Sequence, residues 1–181
     1  IGVERPQSTG IGGGGFLIYY EAKTLQTHVY DFRERAPLKS HSKMYLDKKG
    51  NVIKGASLNG ALSVGEPGLV AGLSNLHSRY ASMDWKRLVS PAASLAREGF
   101  SVYPHLEKAI KRRAQVLTKF PESKSIFFKN GKGLLAGEQL IQKNLANSLS
   151  LIAKDPQDFY AGSIGKKIIK SIKRHGGIMT L

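Results

Sequence analysis

The stretch that decides the fold is "STGIGGGGFLIYY", Ser8–Tyr20. It contains a literal G-x-G-x-x-G in Gly10, Gly12 and Gly15, with Gly13 and Gly14 between. A dinucleotide fingerprint needs a strand before the glycines and a helix after them, so that the helix N-terminus meets the pyrophosphate. Here the order is reversed. "VERPQST" precedes the run with little strand signal, and "FLIYY" follows it, β-branched and aromatic. A P-loop fails too, because no Lys-Ser/Thr pair follows Gly15. The run therefore reads as a tight turn feeding a core strand, where glycine offers positive φ and close backbone approach. Consecutive glycines cost conformational entropy, so the backbone passes close to another element or leaves space for one.

Outward from this turn, "FLIYY" (Phe16–Tyr20) suits a buried strand and "THVYDFRE" (Thr27–Glu34) alternates, so the two predict an antiparallel hairpin ended by Pro37. Lys49-Gly50 and Asn59-Gly60 mark turns, and "ALSVG" (Ala61–Gly65) reads as a third strand. Beyond Pro67 the chain reads as helical. Leu69, Leu73, Leu76 and Tyr80 predict one stripe. Ser90-Pro91 predicts a helix start, with Gly99 as its end. Further stripes are Leu106, Ile110, Leu117 and Phe120; Ile141, Leu145, Leu149 and Ile152; and Ile164, Ile168 and Ile172, with lysines opposite. Strands lead and helices follow, which is α/β, or α+β by element order. The chain reads as one domain over 1–181, strand-rich in 1–65 and helix-rich in 66–181.

Composition narrows the chemistry. The chain has 181 residues, 41% of them hydrophobic and 23% charged, as in a globular protein. It lacks cysteine, which excludes disulfides and thiolate chemistry. The five histidines (His28, His41, His77, His105, His175) show no metal-ligand spacing, so no metal and no cofactor is expected. His77 reads as a packed or hydrogen-bonded residue, and His175 as a favourable charge in a last helical turn. The net charge of +15 suggests an anionic partner. Yet the basic segments "KAIKRRAQ" and "GKKIIKSIKRHGG" carry core-directed stripes and no aromatic stacking platform, so nucleic-acid binding is not expected. Beginning on Ile1 and stopping on "GGIMTL", where a strand is expected to start, the chain reads as a fragment or processed subunit.

"DFRERAP" holds the candidate site. Arg33 and Arg35 lie at a strand end beside Asp31 and Glu34. Arginine presents a rigid fork that fits a carboxylate bidentately. Spacing alone favours an ordinary surface ion pair with Asp31 or Glu34, with an anion receptor as the other reading.

In order along the chain, "PQSTGIGGGGF", "DFRERAP", "VGEPGLVAGL", "PAASLAREGF", "DFYAGSIGKKI" and "GGIMTL" resemble the large subunit of γ-glutamyltranspeptidase. The glycine run and the Arg-Glu-x-Ala-Pro motif are the most specific of these. The resemblance implies an N-terminal nucleophile hydrolase, a four-layer αββα sandwich of which this chain is an incomplete half. It implies a self-cleaving proenzyme whose separate small subunit begins with the nucleophilic threonine. That threonine takes the γ-glutamyl group of glutathione or a related amide and passes it to water, an amino acid or a peptide. By resemblance Arg33 grips the glutamyl α-carboxylate, the small subunit is the partner, and the location is periplasmic, secreted or cell-surface. No catalytic residue is expected here: Thr180 matches a large-subunit strand, not the catalytic motif, so the chain alone is expected to be inactive. Alternatives are a related hydrolase, acting on poly-γ-glutamate or a β-lactam side chain, and a basic nucleic-acid-binding module.

Overall fold

The predicted hairpin is present. In a computed structural model describing residues 1–181, β1 (Phe16–Glu21) pairs antiparallel with β2 (Gln26–Asp31). Ile18 lies opposite Val29 and Tyr19 opposite His28. Leu25 closes the connection at φ 57°, a conformation uncommon for a non-glycine residue. The chain forms two compact units. One comprises residues 11–82 and 155–181, the other 1–10 and 83–154.

In the hairpin unit, α1 (Leu69–Tyr80) packs its last turn on one face of the ribbon. Tyr80 stacks at 4.1 Å from Tyr19, measured between ring centroids, and its hydroxyl hydrogen-bonds that of Tyr30. The opposite face is open: Phe16, Ile18 and Val29 are 61%, 73% and 70% exposed. The "FLIYY" strand, expected to be buried, is thus covered on one side only. β2 stops at Asp31, short of Pro37, because Asp31 Oδ1 accepts the Arg33 N–H at 2.9 Å and turns the chain.

"ALSVG" is not a strand. Gly60, at φ 92°, leads into a 3₁₀ turn over Ala61–Ser63, whose Ser63 hydroxyl donates back to the Gly60 carbonyl. The α1 stripe is also turned from the predicted one: Val70 and Leu76 are buried while Leu73 is 39% exposed, because Gly72 faces the Phe32 ring. A second 3₁₀ turn, Pro156–Phe159, leads into α6 (Ser163–Arg174). Ile169 and Ile172 form a core with Met179, and Ile168 packs against it. Ile178–Leu181, expected to begin a strand, has no regular structure here.

The second unit is helical. α2 (Trp85–Glu98) starts five residues before the predicted Ser90, because Asp84 caps it by accepting the Arg87 N–H at 3.0 Å. Pro91 therefore sits inside the helix. The Ser90 hydroxyl donates to the Lys86 carbonyl, and Gly99 ends the helix as predicted. α2 packs on α5 (Lys143–Lys154) through small side chains, Ala93 and Ala96 against the buried face of Ala146, Leu149 and Ile152. The Trp85 indole N–H donates to the Ile152 carbonyl at 2.8 Å. α3 (Pro104–Leu117) buries Leu106 and Ile110 in a cluster with Val102, Leu134 and Leu140, joined by α4 (Pro121–Phe127) through Ile126 and Phe127. Strand pairs of two residues, β3 (Phe100–Ser101) with β6 (Gln139–Leu140) and β4 (Phe128–Lys129) with β5 (Lys132–Gly133), lie among these helices. Both units mix helix and strand, as the α/β class requires.

Candidate functional site

The site is built around one residue, Phe32. Its N–H donates to the Gly15 carbonyl at 3.0 Å, and its carbonyl accepts the Gly15 N–H at 3.4 Å, which extends the hairpin ladder. The Gly13 carbonyl then accepts two donors at the start of α1, Gly68 N–H at 3.1 Å and Leu69 N–H at 2.9 Å. Phe32 is held between the glycine run and the first turn of α1. A Cβ on Gly14 would lie 2.5 Å from the Phe32 carbonyl oxygen and 2.8 Å from the Arg33 Cα. A Cβ on Gly68 would overlap the same oxygen, and one on Gly72 the Phe32 ring.

The glycine run therefore works by close approach. None of its members has the positive φ expected of a glycine turn, and a Cβ on Gly10 or Gly12 would meet only open space. Gly14 and Gly15 face the neighbouring strand end.

Beyond Phe32 the chain is pinned again. Arg35 and Glu66 exchange backbone hydrogen bonds, 3.2 Å from Arg35 N–H and 2.8 Å from Glu66 N–H. An open pocket of about 390 Å³ lies between these fixed points, with the charged groups Asp31, Arg33, Glu34, Arg35 and Glu66 at its walls and the Gly68–Gly72 turn on one side. Arg33 is 69% exposed. Its Nε is 4.0 Å from Glu34 Oε2, and its guanidinium carbon lies 6.0 Å from the Phe16 ring centroid. At that distance the ion pair is loose and exposed, worth little. Asp31 is occupied with the Arg33 backbone. The Arg33 fork is thus positioned at its base and weakly engaged at its tip, able to receive a carboxylate.

The first turn of α1 has a support that sequence reasoning missed. The Tyr160 hydroxyl accepts the Ala71 N–H at 2.8 Å and donates to the Pro67 carbonyl at 3.1 Å. Burial pushes this phenol above its ordinary pKa. Its signal was present in "DFYAGSIG", but a hydroxyl acting across 89 residues leaves no periodicity. In the same segment Asp158 accepts the Ser163 and Ile164 N–H groups and the Ser163 hydroxyl. The backbone N–H of Ser163, foremost, holds the Asp158 carboxyl below its usual pKa.

Two larger features are less suited to polar recognition. An apolar cavity of about 400 Å³ lies among Phe159, Tyr160, Ile168, Ile169 and Met179. A cleft of about 600 Å³ runs beside α3, past Arg112 and Arg113. The histidines do not converge, and no three carboxylate or imidazole groups gather as they would around a metal ion. His175 caps α6, its Nδ1 2.9 Å from the Ser171 carbonyl.

The sequence pattern of the family described as Gamma-glutamyltranspeptidase matches residues 1–181. "Glutathione hydrolase 3" of Arabidopsis thaliana is 43% identical over 182 residues, covering 100% of this chain and 28% of the relative. "Glutathione hydrolase proenzyme" of Escherichia coli (strain K12) is 40% identical over 182 residues, covering 99% of this chain and 31% of the relative. The crystal structure of Helicobacter pylori gamma-glutamyltranspeptidase superposes with a TM-score of 0.95 at 35% identity, over 99% of this chain and 52% of that one. The chain thus spans about three tenths of the length of these curated relatives, and its fold is that of the N-terminal nucleophile hydrolases. With the motifs in order and the backbone superposed throughout, the chain belongs to the gamma-glutamyltranspeptidase family.

Proposed function

We propose that this chain is the Arg33-bearing part of an enzyme that hydrolyses or transfers the γ-glutamyl group of glutathione and other γ-glutamyl amides. Arg33 receives the substrate's α-carboxylate in a bidentate pair, and this fixes the γ-carbonyl in front of the nucleophile. The nucleophile is the N-terminal threonine of a separate small subunit, activated by its own α-amine. Oxyanion donors stabilise the tetrahedral intermediate, and water, an amino acid or a peptide resolves the acyl-enzyme. This chain supplies scaffold and carboxylate recognition and is inactive without its partner; residues 1–181 act as one domain-sized piece of the large subunit. The location is periplasmic, secreted or cell-surface, and no helix here is long and apolar enough to cross a membrane.

The observation that carries this reading is the exposed, loosely paired Arg33 at the rim of a pocket whose backbone is pinned by glycine contacts. The test is Arg33→Ala in the complete, processed protein. KM for a γ-glutamyl amide rises by about one to two orders of magnitude with a smaller change in kcat, as expected for a lost charged contact made in the ground state. An amide lacking the α-carboxylate is unaffected. An unchanged KM for the γ-glutamyl amide overturns the assignment.

A further inference from the structure

A helix leaves its first backbone N–H groups without intrahelical partners, and a Ser, Thr, Asp or Asn at the N-cap usually satisfies one. The N-cap of α1 is Gly68, which offers no side chain. None can be placed there, since a Cβ on Gly68 would overlap the Phe32 carbonyl oxygen. The close approach that pins Phe32 thus removes the ordinary means of capping the helix. Two outside groups fill the gap. The Gly13 carbonyl takes Leu69 N–H, and the Tyr160 hydroxyl takes Ala71 N–H while donating to the Pro67 carbonyl. One phenol oxygen therefore spans the turn Pro67–Ala71 from both ends, and Gly68 and Gly72 of that turn and its next residue press directly on Phe32.

We propose that Tyr160 is a positioning residue for the Arg33 pocket: its hydroxyl acts as the remote cap of α1 and holds the Gly68–Gly72 turn against Phe32, and through it fixes the base of Arg33. This rests on the reading of Arg33 as the carboxylate receptor. Tyr160 touches no reacting atom. Its effect passes through two contacts: hydroxyl to the backbone of the turn, and glycine backbone of the turn to the Phe32 carbonyl and ring.

The test is Tyr160→Phe in the complete, processed protein, which keeps the ring and removes both hydrogen bonds. Amide hydrogen exchange is followed in the peptides spanning residues 68–72 and 32–35. Both accelerate by about fivefold, the scale expected for a lost helix cap. KM for a γ-glutamyl amide rises by about fivefold while kcat stays within about twofold, and an amide without the α-carboxylate keeps its kcat/KM. A residue that serves stability alone lowers the melting temperature and leaves this KM split at unity. Faster exchange at 68–72 with none at 32–35 overturns the proposal, as does an unchanged KM where Arg33→Ala raises it. If instead Arg33→Ala leaves KM unchanged, the carboxylate reading falls, and exchange at 32–35 still decides whether Tyr160 holds that segment.

Discussion

At position 72 two effects oppose each other. Alanine is the better helix former, by about 1 kcal/mol over glycine in a helix interior. Its Cβ would enter the Phe32 ring, and overpacking a filled site costs about 1–3 kcal/mol. Phe32 cannot withdraw easily, since its N–H and carbonyl are both tied to Gly15. Overpacking therefore wins: Gly72→Ala lowers the melting temperature, whereas Gly12→Ala, with open space at its Cβ, leaves it within a degree or so of the parent. Differential scanning calorimetry of both variants checks this. The sequence announced the glycine run and the Arg33 motif because both are contiguous. It could not announce Gly68 and Gly72 as their counterparts, because a glycine chosen for what lies against it looks the same in sequence as one in open solvent.

Among the elements, the hairpin was legible from composition and alternation, and α6 from its isoleucine spacing opposite lysines. Misreadings fell where one local signal serves two purposes. Ser90-Pro91 signals a helix start, but Asp84 had already started one. "ALSVG" has strand composition, but the left-handed Gly60 sends it into a 3₁₀ turn. α6 also has a glycine N-cap without a side chain, and its cap comes from Asp158 four residues upstream. The carboxyl is held below its ordinary range, chiefly by the Ser163 N–H. For a group with a lowered folded pKa, the stabilisation is fully present above the unfolded value and disappears as pH falls through the folded one. Asp158→Asn therefore lowers the melting temperature at pH 7, and the gap between variant and parent narrows as pH falls below the ordinary carboxyl range. Thermal melts across that range read both.

For the whole molecule, charge and apolar surface oppose each other. The net charge is +15, with cations on both units, including Lys108 and Lys111 on α3 and Lys166, Lys167, Lys170 and Lys173 on α6. The open hairpin face carries Phe16, Ile18 and Val29. At 0.15 M salt the screening length is about 8 Å, so long-range repulsion fades while contact burial of an apolar row does not. The polypeptide 1–181 produced alone therefore self-associates increasingly as salt rises, measured by sedimentation velocity. The pair Ile18→Glu and Val29→Lys, directly opposite across the ribbon and of complementary charge, restores a monomer. Persistent association of that pair places the contact elsewhere.

The glycine collar around Phe32 also limits how this pocket can be redesigned. A side chain added at 14 or 68 meets backbone of Phe32 and Arg33, and one added at 72 meets the Phe32 ring, so the pocket cannot be narrowed from that side. Variation enters more readily through the charged rim at Glu34 and Glu66, whereas the Asp31 carboxylate is committed to the Arg33 backbone. A mutant library restricted to those two positions alters the charge of the pocket without first disturbing the backbone contacts around Phe32.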